Sequence, residues 1–594
     1  MSRRLWPMLA LLALLGFACG SDPEPSGPKP LSADELLDPE ACKDCHPTQY
    51  KEWAGSMHAY ASEDPVFRAM NARAQRETNG EIGDFCVQCH APMALRTGAT
   101  KDGLNLDEVP QKLHGVTCVF CHTVKEVKDN HNAPFELSDD GVMLGGLKDP
   151  VSNPAHKMGY SALLDSKTPE SSKMCGACHD IVSPKGVHLE RTFSEWKDSL
   201  FSHEKEGQFT SCGGCHMHTT TGLAAVADGV KLRKIHDHRL PGVDIALTPW
   251  ADREEQRKHV QEDLDVSLVA QLCVEVTESK QPRVEVMLQN VAAGHSFPSG
   301  ATQDRRVWVE LVAEANGQTI HSSGVVTDDE AIADSKDEDL WLIRERMFDE
   351  KNKEVHLFWQ AALSFGDLLI APPKGGEGMA AETRQARLYK LKEFPDEVRM
   401  RVRIRPMGLE ILRELVKSGD LDPVHIKAMP TFNLKGTELI WQADAAKAKT
   451  SVTGLKALCV PQLLVGGADD PLAGADPFVA GIEKQGKSKQ LTFKLIDANP
   501  APPAQGNNTW EIEVRDADGA PVTGLKLNGG TWMPDHFHGS PIVAQSEELG
   551  AGRYLVAPIE LFMPGLWEIT IGASGGTTEA PIDDKAVFRF WVAG

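Results

Sequence analysis

Tyrosine is nearly missing from this chain: there are five in 594 residues, and all aromatics together make only 6%. So few rings supply no stacking platform for bases. Positive charge is in deficit as well, since 62 Lys and Arg face 85 Asp and Glu for a net charge of −23. That sign repels nucleic acid, which is excluded as a partner, and it suggests basic partners or none. Past the N-terminus no apolar run is long enough to cross a bilayer as a helix. What is present is an ordinary globular composition, 41% hydrophobic and 25% charged, over a length that calls for several domains.

The start of the chain reads as a targeting segment. Arg3 and Arg4 are followed by an apolar stretch from Leu5 to Ala18 that is too short to span a membrane, so residues 1–18 are expected to be a signal peptide. Cys19 follows Leu15-Gly16-Phe17-Ala18, which resembles a bacterial lipoprotein cleavage box, with Gly16 departing from the usual Leu. The expectation is an acylated Cys19, a Pro-rich tether over residues 19–40, and an exported lipoprotein in the periplasm, at the outer membrane or on the cell surface. Ordinary cleavage after Ala18 would instead leave Cys19 a bare thiol.

Thirteen cysteines in an exported chain ordinarily mean disulfides, but ten of them fall in five Cys-x-x-Cys pairs, each followed at once by His. The segments are Cys42–Cys45–His46, Cys86–Cys89–His90, Cys118–Cys121–His122, Cys175–Cys178–His179 and Cys212–Cys215–His216. With 21 His in the chain, five coincidental adjacencies have a probability on the order of 10⁻⁷, and the pattern is that of covalent haem attachment. Two Cys three positions apart reach the two vinyl groups of one porphyrin, and the next imidazole becomes the proximal iron ligand. Zinc knuckles would not need a His behind each pair, and five thioredoxin motifs would need surrounding βαβ units. Five haems c are therefore expected. The segment around them is poor in long apolar periodic runs, so porphyrin faces would stand in for a protein core.

Sixth ligands decide whether an iron passes electrons or binds a substrate. Nine other His lie in the segment: His58, His114, His131, His156, His188, His203, His218, His236 and His238. The candidates are His58, His156 and His238, then His114 and His236, with Met57, Met93 and Met217 as weaker alternatives. Of the pair His236 and His238, only one should ligate, and His238 is preferred because Arg239 beside it could meet a propionate. A surface or hydrogen-bonded His is the alternative at each position.

The order Cys45-His46-Pro47, Gln49-Tyr50-x-x-Trp53-x-x-Ser56-Met57-His58, Asp64-Pro-Val-Phe67, Gly115-Val-Thr-Cys118, Glu195-Trp196 and Cys215-His216-Met217 resembles the cytochrome c-554 group of multihaem cytochromes. The resemblance covers roughly residues 40 to 250. It implies haems stacked in near-contact pairs, His ligands at positions such as His58, and kinship with hydroxylamine-oxidising and octahaem reductase enzymes. Five motifs stand here where the group's namesake has four.

Beyond residue 246 the texture changes to strands. Val284, Val286 and Leu288 alternate, Val307 to Val312 runs into the turn Asn316-Gly317, and Val398, Met400, Val402 and Ile404 alternate with four Arg, predicting a half-buried strand with a basic outer face. A helix is predicted from Leu409 to Lys417, stopped by Gly419. The loop Gly294-His295-Ser-Phe-Pro-Ser-Gly300 resembles one carried by chains with similar cytochrome modules, which makes His295 a weak candidate haem ligand across the domain boundary against a plain turn residue. Near the C-terminus Trp510, Ile512 and Val514, then Trp567, Ile569 and Ile571, give an immunoglobulin-like pattern. Trp532-Met533-Pro-Asp-His536-Phe-His538 with Met563 resembles the YtkA-like family; these soft ligands would suit copper, although a buried loop with satisfied His is the favoured reading.

The expected fold is thus multidomain: a mostly α and irregular pentahaem domain (41–245), a β-rich domain with a helical insertion (246–462), a linker (463–489) and a β-sandwich (490–594). The expected function is a periplasmic or cell-surface electron relay serving redox partner proteins and tied to a membrane by its lipid. The alternatives are an oxidoreductase acting on a small nitrogen or sulfur compound at an open haem iron, and a docking module with auxiliary haems.

Overall fold

A computed structural model of the chain describes residues 29–203, 209–276, 281–290, 293–372, 383–443, 458–460, 475–479, 481–533, 540, 543–561, 565–576 and 581–592. The first part is built of short pieces. Its longest helix is Pro65–Glu77, 13 residues, started by Asp64, whose carboxylate accepts from Val66 N at 2.9 Å, with Pro65 in the first turn. Strands there run only two to four residues, as in the hairpin Thr219–Gly222 with Arg233–His236. The apolar cluster of this part, around Phe67, Val87, Leu113, Phe120 and Phe135, has Cys86, Cys89, Cys121 and Cys178 packed at its margin. The haem-motif sulfurs therefore sit against the little core that the chain supplies.

Helix Arg253–Ser267 leads into two antiparallel sheets. One runs in the order Arg384–Lys390, Pro282–Asn290, Leu268–Val276, Leu458–Val460; the other Gln318–Ser323, Arg306–Ala315, Glu397–Arg405, Phe432–Gln442. Val284, Val286 and Leu288 of the first and Val309, Leu311, Val398 and Val402 of the second share one buried core, as alternation requires. Asn316 and Gly317 turn the predicted hairpin with φ of 50° and 71°. The helix Leu409–Lys417 ends before Gly419, whose φ is 82°.

Two features depart from the expectations. The arginine face of strand Glu397–Arg405 is not uniformly outward: Arg403 and Arg405 are buried, lie 5.3 and 5.7 Å from the Trp308 ring, and donate to the Val326, Glu330 and Asp328 carbonyls. A crossing loop covers that side of the sheet, and carbonyls with a π face replace water. Second, Cys273 and Cys459 form a disulfide that ties Leu268–Val276 to Leu458–Val460. Neither cysteine belongs to a motif, so spacing gave no sign of the bond.

The C-terminal part is one eight-stranded antiparallel sheet curled on itself. Trp510 lies 5.7 and 5.6 Å from Phe588 and Phe590 across the fold, and Trp567, Ile569 and Ile571 are fully buried. Asp584 accepts from Ser488, Gln490 and Leu491 backbone N–H groups at 2.7, 3.0 and 2.9 Å, which draws the last strand to the first.

Candidate metal centres

Each Cys-x-x-Cys-His segment coils into a turn of helix or its edge, which puts the two sulfurs and the imidazole on one side. Four of the five motif histidines are then oriented by a main-chain carbonyl. Nδ1 of His46, His90, His122 and His216 meets the carbonyl oxygens of Ala224, Ala61, Leu144 and Pro241 at 2.8, 3.0, 2.6 and 2.8 Å. An Nδ1–H donated to a carbonyl leaves the Nε2 lone pair for a metal. Burial pushes the imidazolium form of His179 down to about 4, helped by the neighbouring His58, so the ring is neutral.

The histidine partners follow from distance. The rings of His46 and His156 are 6.4 Å apart, those of His58 and His179 6.2 Å, and those of His216 and His295 6.3 Å. A metal held at about 2 Å from one nitrogen of each ring separates the ring centres by roughly 6 Å. Every pair joins one motif histidine to one outside the motifs, and the interplanar angles are 27°, 72° and 15°. His156 and His295 have Nδ1 at 3.0 Å from the carbonyls of Lys157 and Ser296, the same orienting device. His238 lies close to His122, and burial followed by the charge of His122 pushes it down to about 4.

Two expected candidates are engaged otherwise. His114 has Nδ1 on the Glu63 carboxylate and Nε2 3.0 Å from the Val109 carbonyl. His236 has Nε2 2.7 Å from Ser166 Oγ and Nδ1 2.7 Å from the Met217 carbonyl. With both ring nitrogens hydrogen-bonded, neither offers a lone pair to a metal. Met93 is buried in the apolar cluster. His90 lies under Phe67, rings 4.1 Å apart and 4° from parallel, and among the described residues no second histidine forms a ring pair with it.

Position is set by two close approaches. Gly115 has a φ of 67°, and a Cβ there would fall 2.5 Å from the Ala59 carbonyl, so only glycine lets the two segments cross beside His58. Val116 N donates to the His58 carbonyl at 2.8 Å, and Trp53 Nε1 to the Val116 carbonyl at 2.7 Å. His295 comes from the β-rich part: Glu195 accepts from Ser296 N at 3.1 Å and Ser299 Oγ at 2.9 Å, and Gly294 packs on Trp196 and Phe201.

Sulfurs of different motifs also meet; they stand for the thioether sulfurs of attached porphyrins. Cys42 lies near Cys118, Cys178 near Cys89 and Cys175 near Cys212, close enough to perturb one another, and Cys121 lies within electrostatic reach of Cys175 and Cys178. The donor set (paired sulfurs, a carbonyl-oriented imidazole and a second imidazole across a metal-sized gap) fits haem c and not a protein-only zinc site. Among the described residues no group of three or more His, Cys, Asp or Glu is arranged to hold a bare metal ion. Cys19, His536, His538 and Met563 lie outside the described residues, while Met533 is fully buried.

Two segments of the chain match known families. Residues 41–123 match the family described as cytochrome c554 and c-prime, and residues 485–572 match the YtkA-like family. A penta-heme cytochrome c552 from Thermochromatium tepidum aligns over 68% of this chain and 97% of its own, at 20% identity and a TM-score of 0.47. FetP of uropathogenic E. coli strain F11 aligns over 19% of this chain and 96% of its own, at 12% identity and a TM-score of 0.15. No curated protein matches. The chain therefore carries one segment, residues 41–123, similar to the cytochrome c554 and c-prime family and a second, residues 485–572, similar to the YtkA-like family.

Proposed function

We propose that this chain is an exported electron relay that holds five haems c, one at each Cys-x-x-Cys-His segment. The observation that carries the reading is the set of three histidine pairs 6.2 to 6.4 Å apart, each with one motif member. His156, His58 and His295 would hold the iron together with His46, His179 and His216, and His238 would do so with His122. When bound, haem c supplies a one-electron iron couple. The chain's part is to keep each imidazole neutral and aimed, through the Nδ1 hydrogen bonds, and to withhold coordination sites from small molecules.

The nearness of sulfurs from different motifs supports one order for the relay. Motif one meets motif three through Cys42 and Cys118; motif three approaches motif four through Cys121; motif four meets motifs two and five through Cys178 and Cys175. Redox partner proteins would exchange electrons at the ends. Cys19 is the proposed lipid anchor and the periplasm or cell surface the proposed location; among the described residues no helix is long and apolar enough to cross a membrane. Copper at the Met533 loop is not part of this reading.

Intact-mass measurement of the mature protein tests the count. Five haem additions are expected, and four or fewer overturn it. Cys19→Ser should move the protein from the membrane to the soluble fraction; unchanged membrane association overturns the anchor.

A second reading has its own observation: His90 is stacked by Phe67, and among the described residues no second histidine ring pairs with it. An iron open there would receive a small nitrogen or sulfur compound. Electron paramagnetic resonance of the oxidised protein separates the two: all low-spin signals favour a pure relay, and a high-spin ferric signal favours an open iron.

A further inference from the structure

The hairpin that orients His46 also exposes apolar surface. Its strands, Thr219–Gly222 and Arg233–His236, are joined by a loop whose Ala224 carbonyl lies 2.8 Å from His46 Nδ1 and whose Val226 N donates to the Cys45 carbonyl at 2.7 Å. Leu223, Val226 and Leu232 of this loop are 41%, 59% and 72% exposed. Nothing in the hairpin's own packing needs three large apolar side chains turned to water, and exposed apolar residues grouped at a cofactor edge mark a contact surface.

Charge tells what kind of contact. The molecule as a whole carries −23, yet this end is basic. Lys231 and Lys234 are exposed on the hairpin, and Lys148 and Lys157 on the segment packed beside it; with Arg233 they outnumber the exposed Asp228 of the loop and Asp149. Asp149 binds that segment to the hairpin, through Arg233 at 2.7 Å and Lys231 at 3.7 Å. The net charge of the chain repels an acidic protein while these lysines attract one locally, so electrostatics would both favour and orient the encounter. We propose that the loop 223–232 with its lysine rim is the docking face for a small acidic redox protein, which delivers or takes an electron at the first motif. The small apolar centre and charged rim match a transient contact of the low-area class.

The proposal rests on the relay reading, but the two fail separately, because haem content is measured by mass and docking by rate. Reduced plant-type ferredoxin, an acidic iron–sulfur carrier, serves as the probe with full-length holoprotein. One electron leaves its cluster and is taken up by a ferric haem, with no bond made or broken, and the growth of the reduced haem band gives a second-order rate. The rate should fall as salt is added. Lys231→Glu with Lys234→Glu should lower it about tenfold or more at low salt. Leu232→Ser should lower it at every salt concentration. Haem content of all variants should match wild type, which excludes misfolding. An unchanged rate in the charge-reversed variant overturns the proposal. So does loss of binding to phosphatidylglycerol vesicles by that variant with an unchanged ferredoxin rate, which would make the face a membrane contact.

Discussion

The ring of His295, in the β-rich part, stands 6.3 Å from the ring of His216 and 15° from parallel to it. Two regions far apart in sequence thereby bring one imidazole each to the sides of a metal-sized gap, and Glu195 fastens the loop that makes this so. His295→Ala should convert one haem from low to high spin and open it to cyanide, as read by electron paramagnetic resonance and absorption. Glu195→Gln should weaken the same ligation by about 10- to 100-fold in ligand-competition titrations, because orienting partners of metal ligands typically contribute that much. A low-spin His295→Ala protein would mean that His216 has another partner.

His238 and His236 differ in what their nitrogens do. His236 spends both on Ser166 and Met217, while His238 lies neutral beside His122. His238→Ala should therefore create a high-spin ferric signal and bind nitric oxide. His236→Ala should do neither and should only loosen the hairpin, and the reverse result would exchange their roles.

Gly115→Ala places a methyl 2.5 Å from the Ala59 carbonyl and demands a left-handed backbone from alanine. The strain, on the order of 1 to 3 kcal/mol, should push the His58 segment away. Spectroscopy should show partial loss of one low-spin haem, with the large-g signal of the steeply crossed His58 and His179 planes (72°) affected first.

His114 and Glu63 give a pH dependence of stability. The Glu63 hydrogen bond raises His114 above its ordinary value, against burial, and the His114 hydrogen bond lowers Glu63. A raised His stabilises fully below its unfolded value of about 6.5 and loses that contribution as pH rises through the folded value; a lowered Glu stabilises above about 4.3 and loses it as pH falls. The pair should thus help most between roughly pH 4.3 and 6.5. Thermal unfolding by circular dichroism should show this window shrink in His114→Gln.

Reducing the Cys273–Cys459 bond, or Cys273→Ala with Cys459→Ala, should destabilise the β-rich part by about 2–5 kcal/mol, since a long loop is released in the unfolded chain. The haem spectrum should change little. An unshifted unfolding midpoint would make the bond incidental.

The chain's own sequence determined the cofactor chemistry, because covalent attachment needs two Cys and a His at fixed spacing within one helical turn, and no distant residue enters that requirement. It likewise determined the alternating strands around Val284, Val398, Trp510 and Trp567, where a period of two follows from the pleat. Only the tertiary structure decided the rest. Which imidazoles come together in pairs depends on how His58, His156 and His295 are carried across the fold, and no local pattern separates them from His114 and His236, whose nitrogens are consumed by neighbours. Arg403 and Arg405 look solvent-facing by alternation, but a crossing loop supplies carbonyls that bury them. Cys273 and Cys459 are invisible as a pair in sequence, since only sheet order brings their strands side by side.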